Sequence, residues 1–115
     1  MILTQGDKIL VVHRRLFPDD EVLYFVAAVD EYEGGMIKAT GHSFLWDQSN
    51  GVMVEKNKAR TKIMAISSGL LLVHLLPGSV VFDALNFAVI DGSLNLSDGA
   101  RFAMNMAEHT HDGKV

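Results

Sequence analysis

The sequence predicts an all-β protein, a small and strongly bent β-barrel with an added β-meander at its C-terminal end. Residues 21–47 are rich in β-branched and aromatic side chains, contain no proline and turn at Gly34-Gly35. Shorter apolar runs follow, separated by turn residues such as Asn50-Gly51. Asp91-Gly92 and Asp98-Gly99 lie a few residues apart, which is typical of a tight three-strand meander.

Composition bounds the class of protein. A chain of 115 residues predicts one domain, 1–115, in which 6–76 form the barrel core and 84–106 the meander. The absence of cysteine excludes disulfides, thiolate catalysis and Cys-based zinc sites. No apolar run approaches the ~20 residues of a membrane helix, and no basic-then-apolar leader opens the chain. We therefore expect a cytoplasmic protein with no membrane partner.

The first strand is predicted over residues 8–17, with apolar side chains on both faces, and Pro18-Asp19-Asp20 then turns the chain. In the long ribbon, a two-residue Gly34-Gly35 turn fixes the expected register. The predicted cross-strand pairs are Glu31 with Lys38, Tyr32 with Ile37, Val29 with Thr40, Phe25 with Phe44 and Leu23 with Trp46.

In this register Ala28 lies opposite Gly41. A glycine there allows the ribbon to bend, so that each half serves a different sheet, as a small closed barrel requires. Further strands are predicted over 52–55, 61–66 and 70–76. The last is almost wholly apolar, so we expect burial of both its faces, one by the core and the other by a partner subunit.

The tail predicts strands over 85–90, 93–96 and 100–106. Helix is the rival interpretation for residues 100–111, since Phe102, Met106 and His109 also fit a helical stripe. Uninterrupted alternation after the Asp98-Gly99 turn favours the strand.

The ribbon resembles the first motif of the Sm-like family of small β-barrels. That motif has a glycine, an apolar residue, an aromatic residue, an aspartate, an apolar residue and an asparagine, where this chain has Ala27, Val29, Tyr32, Glu33, Met36 and Ile37. Residues 66–73 are similar to the second motif, without its arginine and with its glycine displaced by one. The resemblance covers about 6–76 and implies an Sm-like or SH3-like barrel, ring assembly and RNA binding. Ile37 and Ser67 cannot replace the asparagine and arginine that hold a base in that family.

We therefore expect a homo-oligomer, for example a ring, in which residues 61–66 of one subunit pair with residues 70–76 of the next. The expected interface residues are Ile63, Ala65, Leu70, Leu72 and His74.

The alternative function is RNA or single-strand binding through four cations in seven residues, Lys56, Lys58, Arg60 and Lys62. A solvated loop is favoured, because no exposed aromatic residue interleaves the cluster and the net charge is −4. Two imidazoles and a carboxylate in His109-Thr110-His111-Asp112 are ligand types for zinc or nickel, but a frayed terminus does not preorganise them. No metal or cofactor is expected.

Catalytic patterns are not found in the sequence. There is no nucleophile elbow, no carboxylate pair beside a base and no phosphate-binding glycine loop. We expect no catalytic residues and no enzyme. A small-ligand binder or an enzyme whose groups assemble only in space remains the second alternative.

Overall fold

The computed structural model describes residues 2–13, 23–47, 52–55 and 58–106, and its fold is all-β as predicted. Two short 3₁₀ helices, Ile66–Ser68 and Phe82–Ala84, lie between strands. The described residues up to 78 and those from 79 onward form two compact units. The strands are β1 (Lys8–His13), β2 (Leu23–Glu33), β3 (Met36–Asp47), β4 (Val52–Glu55), β5 (Arg60–Ala65), β6 (Leu71–Leu75), β7 (Asn86–Ile90), β8 (Ser93–Ser97) and β9 (Ala103–Asn105).

The N-terminal unit contains one six-stranded antiparallel sheet, in which β4, β3, β2, β1 and β6 are neighbours in that order. The two halves of β3 have different partners, because residues 36–41 pair with β5 and residues 44–47 pair with β4. The change of partner begins at Gly41, where the sequence predicts that the ribbon divides. In the described residues no ladder joins β5 to β6, so closure of the sheet into a barrel stays a prediction.

The register of the long ribbon is only partly as predicted. The Gly34-Gly35 turn has positive φ at both glycines, and Glu31 lies opposite Lys38 and Tyr32 opposite Ile37. Farther from the turn the prediction is wrong by one residue, because a β-bulge between Val29 and Glu31 adds one residue to β2. The correct pairs are Val29 with Ala39, Ala27 with Gly41, Phe25 with Ser43 and Leu23 with Leu45.

Hydrogen bonds from β3 and from the segment before β1 stabilise the bulge. The hydroxyl of Thr40 donates a hydrogen bond of 2.7 Å to the carboxylate of Asp30, the residue at the bulge. The backbone N–H of Gly6 donates to the carbonyl of Val29, and the N–H of Val29 donates to the carbonyl of Asp7, both at 2.8 Å. The chain segment before β1 therefore occupies the backbone groups that the bulge frees.

The core of the N-terminal unit lies on one face of the sheet. Tyr32, Ile66, Leu71 and Val73 pack at its margin. The opposite face also contains buried residues, including Leu10, Val26 and Phe44, so β1, which is predicted to be apolar on both faces, has buried side chains on both. The buried core cluster consists of Leu3, Ile9, Val11, Phe25, Ala27, Val29, Ile37, Ala39 and Met64.

Strand β6 differs from its prediction. Leu72 and Leu75 are exposed, so the burial expected for both faces of this apolar strand is not found in the described chain. Coverage by a partner subunit stays a prediction.

The C-terminal unit is the predicted three-strand meander, in the order β7, β8, β9. Asp91 and Gly92 form its two-residue hairpin turn, both with positive φ. Asp98-Gly99 instead opens a longer connection, which precedes β9. Residues 103–105 are a strand, so residues 100–106 contain no helix, and residues 107–111 of the rival helix prediction lie outside the described residues.

Candidate functional site

The five residues predicted to form an oligomer interface lie on or beside β5 and β6, two strands at the edges of the sheet. Ile63 and Ala65 belong to β5, Leu72 and His74 belong to β6, and Leu70 directly precedes β6. Ile63 is 67% exposed, Leu72 is 45% exposed and Leu70 is 44% exposed, while Ala65 and His74 are half-buried. The structure brings these residues to two sheet edges, and their contact with another subunit stays a prediction.

The interface residues within the strands lie on one face of the sheet. Met64 of β5 and Val73 of β6 pack with the core cluster. Because side chains alternate along a strand, the neighbours Ile63 and Leu72 lie on the opposite face, together with Ala65 and His74. Each edge strand thus carries apolar side chains on the same side of the sheet.

The four residues of the predicted basic cluster have different surroundings. Lys56 lies outside the described residues, and Lys58 and Arg60 are exposed. Lys62 is half-buried and lies on the core face of β5, since it is paired with Ala39 and alternates with Thr61 and Ile63. The described part of the cluster therefore presents two cations to solvent, and the third cation lies against the core.

Lys62 makes two contacts with residues of the core face. Its ammonium group lies 3.1 Å from the hydroxyl of Ser43. It also lies 4.6 Å above the centre of the Phe25 ring, which is a cation–π distance. Burial, and after it the charge of Arg60, lowers the pKa of Lys62.

His13 ends β1 on the same face, two residues after the buried Val11. Its Nε2 atom is buried and has no hydrogen-bond partner in the described residues. Burial, and after it the charge of Lys62, lowers the pKa of His13. The lowered pKa favours the neutral imidazole, and the contribution of Lys62 places His13 within electrostatic range of that ammonium.

The sequence does not predict this group of residues. The predicted register placed Phe44 opposite Phe25, whereas the bulge places Ser43 there. Without that correction, no hydroxyl is expected on the core face beside Lys62. The local sequence gives one signal for the position of Lys62, the alternation of side chains along 62–64. Because apolar residues occupy both Ile63 and Met64, this alternation is compatible with Lys62 on either face.

An open depression of about 160 Å³ lies beside the ribbon turn. On its rim, the Lys38 ammonium and the Glu31 carboxylate are 3.7 Å apart. The lining combines this exposed ion pair with the apolar side chains of Met36, Ile37 and Ile63. None of the lining residues is a nucleophile. The lining residues are Glu31, Glu33, Met36, Ile37, Lys38 and Ile63.

Three further features bear on the sequence predictions. Ile37, which stands where the Sm-like motif has an asparagine, is fully buried in the core cluster. No group of three potential metal ligands occurs among the described residues, and His109, His111 and Asp112 lie outside them. Within the described ranges, every helix is too short to cross a membrane.

Comparison with known proteins does not assign the chain. No family model, curated protein or solved structure matches it. The resemblance to the Sm-like family therefore stays a prediction that depends on the ribbon motif and on residues 66–73.

Proposed function

We propose that this protein is a self-assembling β-sheet module, which forms a homo-oligomer by pairing β5 of one subunit with β6 of the next. The observation that carries the proposal is that both strands have an unpaired edge within the described ranges. Each is paired on one side only in the described residues, β5 with β3 and β6 with β1. An edge strand with unpaired backbone groups is a ready template for another strand.

The side chains of the two edges support the same pairing. Ile63 on β5 and Leu72 on β6 are exposed, apolar and on the same face of the sheet. Pairing the two strands across a subunit boundary would place such residues side by side and remove apolar surface from water. Since β5 and β6 are different surfaces, the contact is head-to-tail, and it forms a ring where the rotation between subunits closes.

The first experiment measures solution mass. Light scattering on the full chain at about 10 µM is expected to give a mass of two or more chains of 12.6 kDa each. The variants Ile63→Lys and Leu72→Lys, each of which places a charge on one edge, are expected to be monomers. Ile2→Lys is the matched control, because Ile2 is 81% exposed and lies outside the strands. It is expected to keep the wild-type mass.

Mixing the two edge variants tests the head-to-tail geometry. Ile63→Lys leaves β6 unchanged, and Leu72→Lys leaves β5 unchanged, so an equal mixture can form one intact contact. Two chains of 12.6 kDa give a heterodimer of 2 × 12.6 = 25.2 kDa. A mixture that stays monomeric contradicts the β5–β6 pairing, and a monomeric wild type contradicts assembly altogether.

Nucleic-acid binding is the second candidate, and the exposed Lys58 and Arg60 are the observation in its favour. Binding would rest on phosphate contacts and would weaken steeply with added salt. Changing both residues to serine should then abolish retention on an oligonucleotide column at low salt. Wild-type protein that passes through the same column without retention contradicts this function.

A further inference from the structure

The core face of the N-terminal sheet changes from apolar to polar at one end. Along β1, the buried Ile9 and Val11 are followed by His13. Along β3, the buried Ile37 and Ala39 are followed, beyond Gly41, by Ser43. Strand β5 adds Lys62, whose ammonium reaches Ser43. Three strands therefore contribute one polar side chain each to the same end of one face.

The positive charge in this group has no negative partner among the described residues. The Lys62 ammonium contacts a neutral hydroxyl and an aromatic ring, and it forms no ion pair with a described carboxylate. After burial, the charge of Arg60 lowers the pKa of Lys62, and the charge of Lys62 in turn lowers the pKa of His13. A half-buried ammonium beside other basic groups is unfavourable unless an anion neutralises it.

His13 supplies a second unmet requirement. A buried polar atom without a hydrogen bond costs free energy, and such atoms in native proteins usually have a specific reason. Neutral imidazole can donate one hydrogen bond from Nε2, and protonated imidazole donates from both nitrogens. A bound oxyanion would accept a hydrogen bond from His13 Nε2 and form an ion pair with the Lys62 ammonium.

We propose that His13, Ser43 and Lys62 form a binding site for a small oxyanion, a phosphate or carboxylate group, at the polar end of the core face. Lys62 provides the charge, and the Ser43 hydroxyl and His13 Nε2 provide directional donors from two other strands. Arg60 lies two residues from Lys62 on the same face of β5 and adds positive potential. The site is independent of the proposed assembly, which uses the backbone edges of β5 and β6.

The surroundings favour a small ligand over a nucleic-acid strand. Phe25 is fully buried beneath Lys62, so its ring cannot stack on a base. His13 and Lys62 are half-buried, unlike the exposed cations that follow an extended phosphate backbone. One terminal oxyanion group fits these donors better than a polymer does.

The first test is a titration of the full chain with inorganic phosphate at pH 7 and constant ionic strength. The ¹⁵N signals of the His13 imidazole and the backbone amide of Ser43 are expected to shift, with saturation at or below the order of 10 mM. A parallel titration with sodium acetate decides between phosphate and carboxylate, and one with sodium chloride measures the effect of salt alone. A short oligonucleotide forms the fourth arm.

Two matched variants then locate the site. Lys62→Met keeps an unbranched stem over Phe25 and removes the charge, and it is expected to weaken binding about tenfold or more. Lys58→Met removes the same charge from an exposed residue before β5. It is expected to change binding by less than about twofold.

Several results would overturn the proposal. The first is that neither phosphate nor acetate shifts the signals of His13 or Ser43. This result is measured on the wild type, so it does not depend on the folding of a variant. Equal losses in Lys62→Met and Lys58→Met would show diffuse electrostatic attraction instead of a site. Shifts with the oligonucleotide alone would assign the group to nucleic-acid binding. A monomeric wild type that still binds phosphate at His13 would refute assembly and leave the oxyanion site intact.

Discussion

The two units of this chain are both antiparallel sheets, but different interactions fix their strands. The N-terminal unit contains a cluster of nine buried apolar residues on one face of six strands. The three-strand C-terminal unit has fewer buried apolar side chains, Val80, Leu85, Phe87 and Leu96, and it exposes Val89 and Ile90. Its longest connection is instead ordered by one buried carboxylate.

Asp98 is that carboxylate. Its oxygens accept hydrogen bonds from the backbone N–H groups of Val81, Ala100 and Phe102, at 3.0, 2.9 and 3.1 Å. These hydrogen bonds hold the pKa of Asp98 below its usual range. Packing and close backbone approach therefore fix the strands of the larger sheet, whereas side-chain hydrogen bonds to the backbone order the longest connection of the smaller one.

The largest expected effect follows from the closest approach in the N-terminal sheet. A Cβ atom on Gly41 would overlap the carbonyl oxygen of Val26 and lie 2.5 Å from the Cα of Ala27. These are backbone atoms, so no side-chain rotation can relieve the contact. Gly41→Ala is therefore expected to lower the free energy of unfolding by about 3 kcal/mol or more.

Urea unfolding followed by circular dichroism measures this loss. Gly78→Ala is the matched control, because an added Cβ meets no atom within 4 Å and the φ of Gly78 is not positive. The control is expected to change stability by no more than about 0.5 kcal/mol. Equal midpoints for Gly41→Ala and the wild type would show that the two ribbon strands can separate without cost.

The second-largest effect is expected where Asp98 orders the connection before β9 in the C-terminal unit. Asp98→Ala removes the acceptor of three backbone N–H groups. Amide exchange at Val81, Ala100 and Phe102 is expected to become about tenfold faster, as for a lost helix cap. Asp83→Ala, at an exposed aspartate of the same unit, should leave these three rates unchanged. Unchanged exchange in Asp98→Ala would mean that the backbone alone orders this connection.

The same carboxylate predicts a pH dependence. Because folding lowers the pKa of Asp98, its contribution to stability is fully present above the unfolded-state pKa, about 3.8. The contribution is lost as the pH falls through the lower, folded-state pKa. Exchange at Ala100 and Phe102, corrected for intrinsic rates, should therefore accelerate in acid in the wild type, and Asp98→Ala should remove this acceleration. Acid acceleration that persists in the variant would assign it to another group.

The units also differ in how much of them the sequence predicts. Turn signals are local, so Gly34-Gly35 and Asp91-Gly92 were placed correctly, together with the strands they join. The bulge at Asp30 depends on hydrogen bonds between Val29 and residues 6 and 7, a contact between distant parts of the chain. No local pattern carries that information, and the register beyond the bulge was predicted wrongly for this reason.

The candidate sites follow the same division. The sequence predicts both edge strands, β6 from its apolar composition, and the predicted Ile63 and Leu72 are exposed on them. The group of His13, Ser43 and Lys62 could not be predicted, because a shift of one residue in register moves a side chain to the other face. Sequence patterns located the edges of the sheet, and only the register located the polar end of its core face.

The smallest expected effect separates charge from packing within the N-terminal unit. Glu31 and Lys38 lie opposite each other near the ribbon turn, with 3.7 Å between carboxylate and ammonium. Their side chains are 70% and 47% exposed, so water and salt screen the attraction. A double-mutant cycle with Glu31→Gln and Lys38→Gln is expected to give a coupling of about 0.5 kcal/mol or less, and added salt should reduce it further. A coupling well above about 1 kcal/mol that persists in salt would instead show that the charged turn fixes the ribbon as firmly as its glycine-dependent packing does.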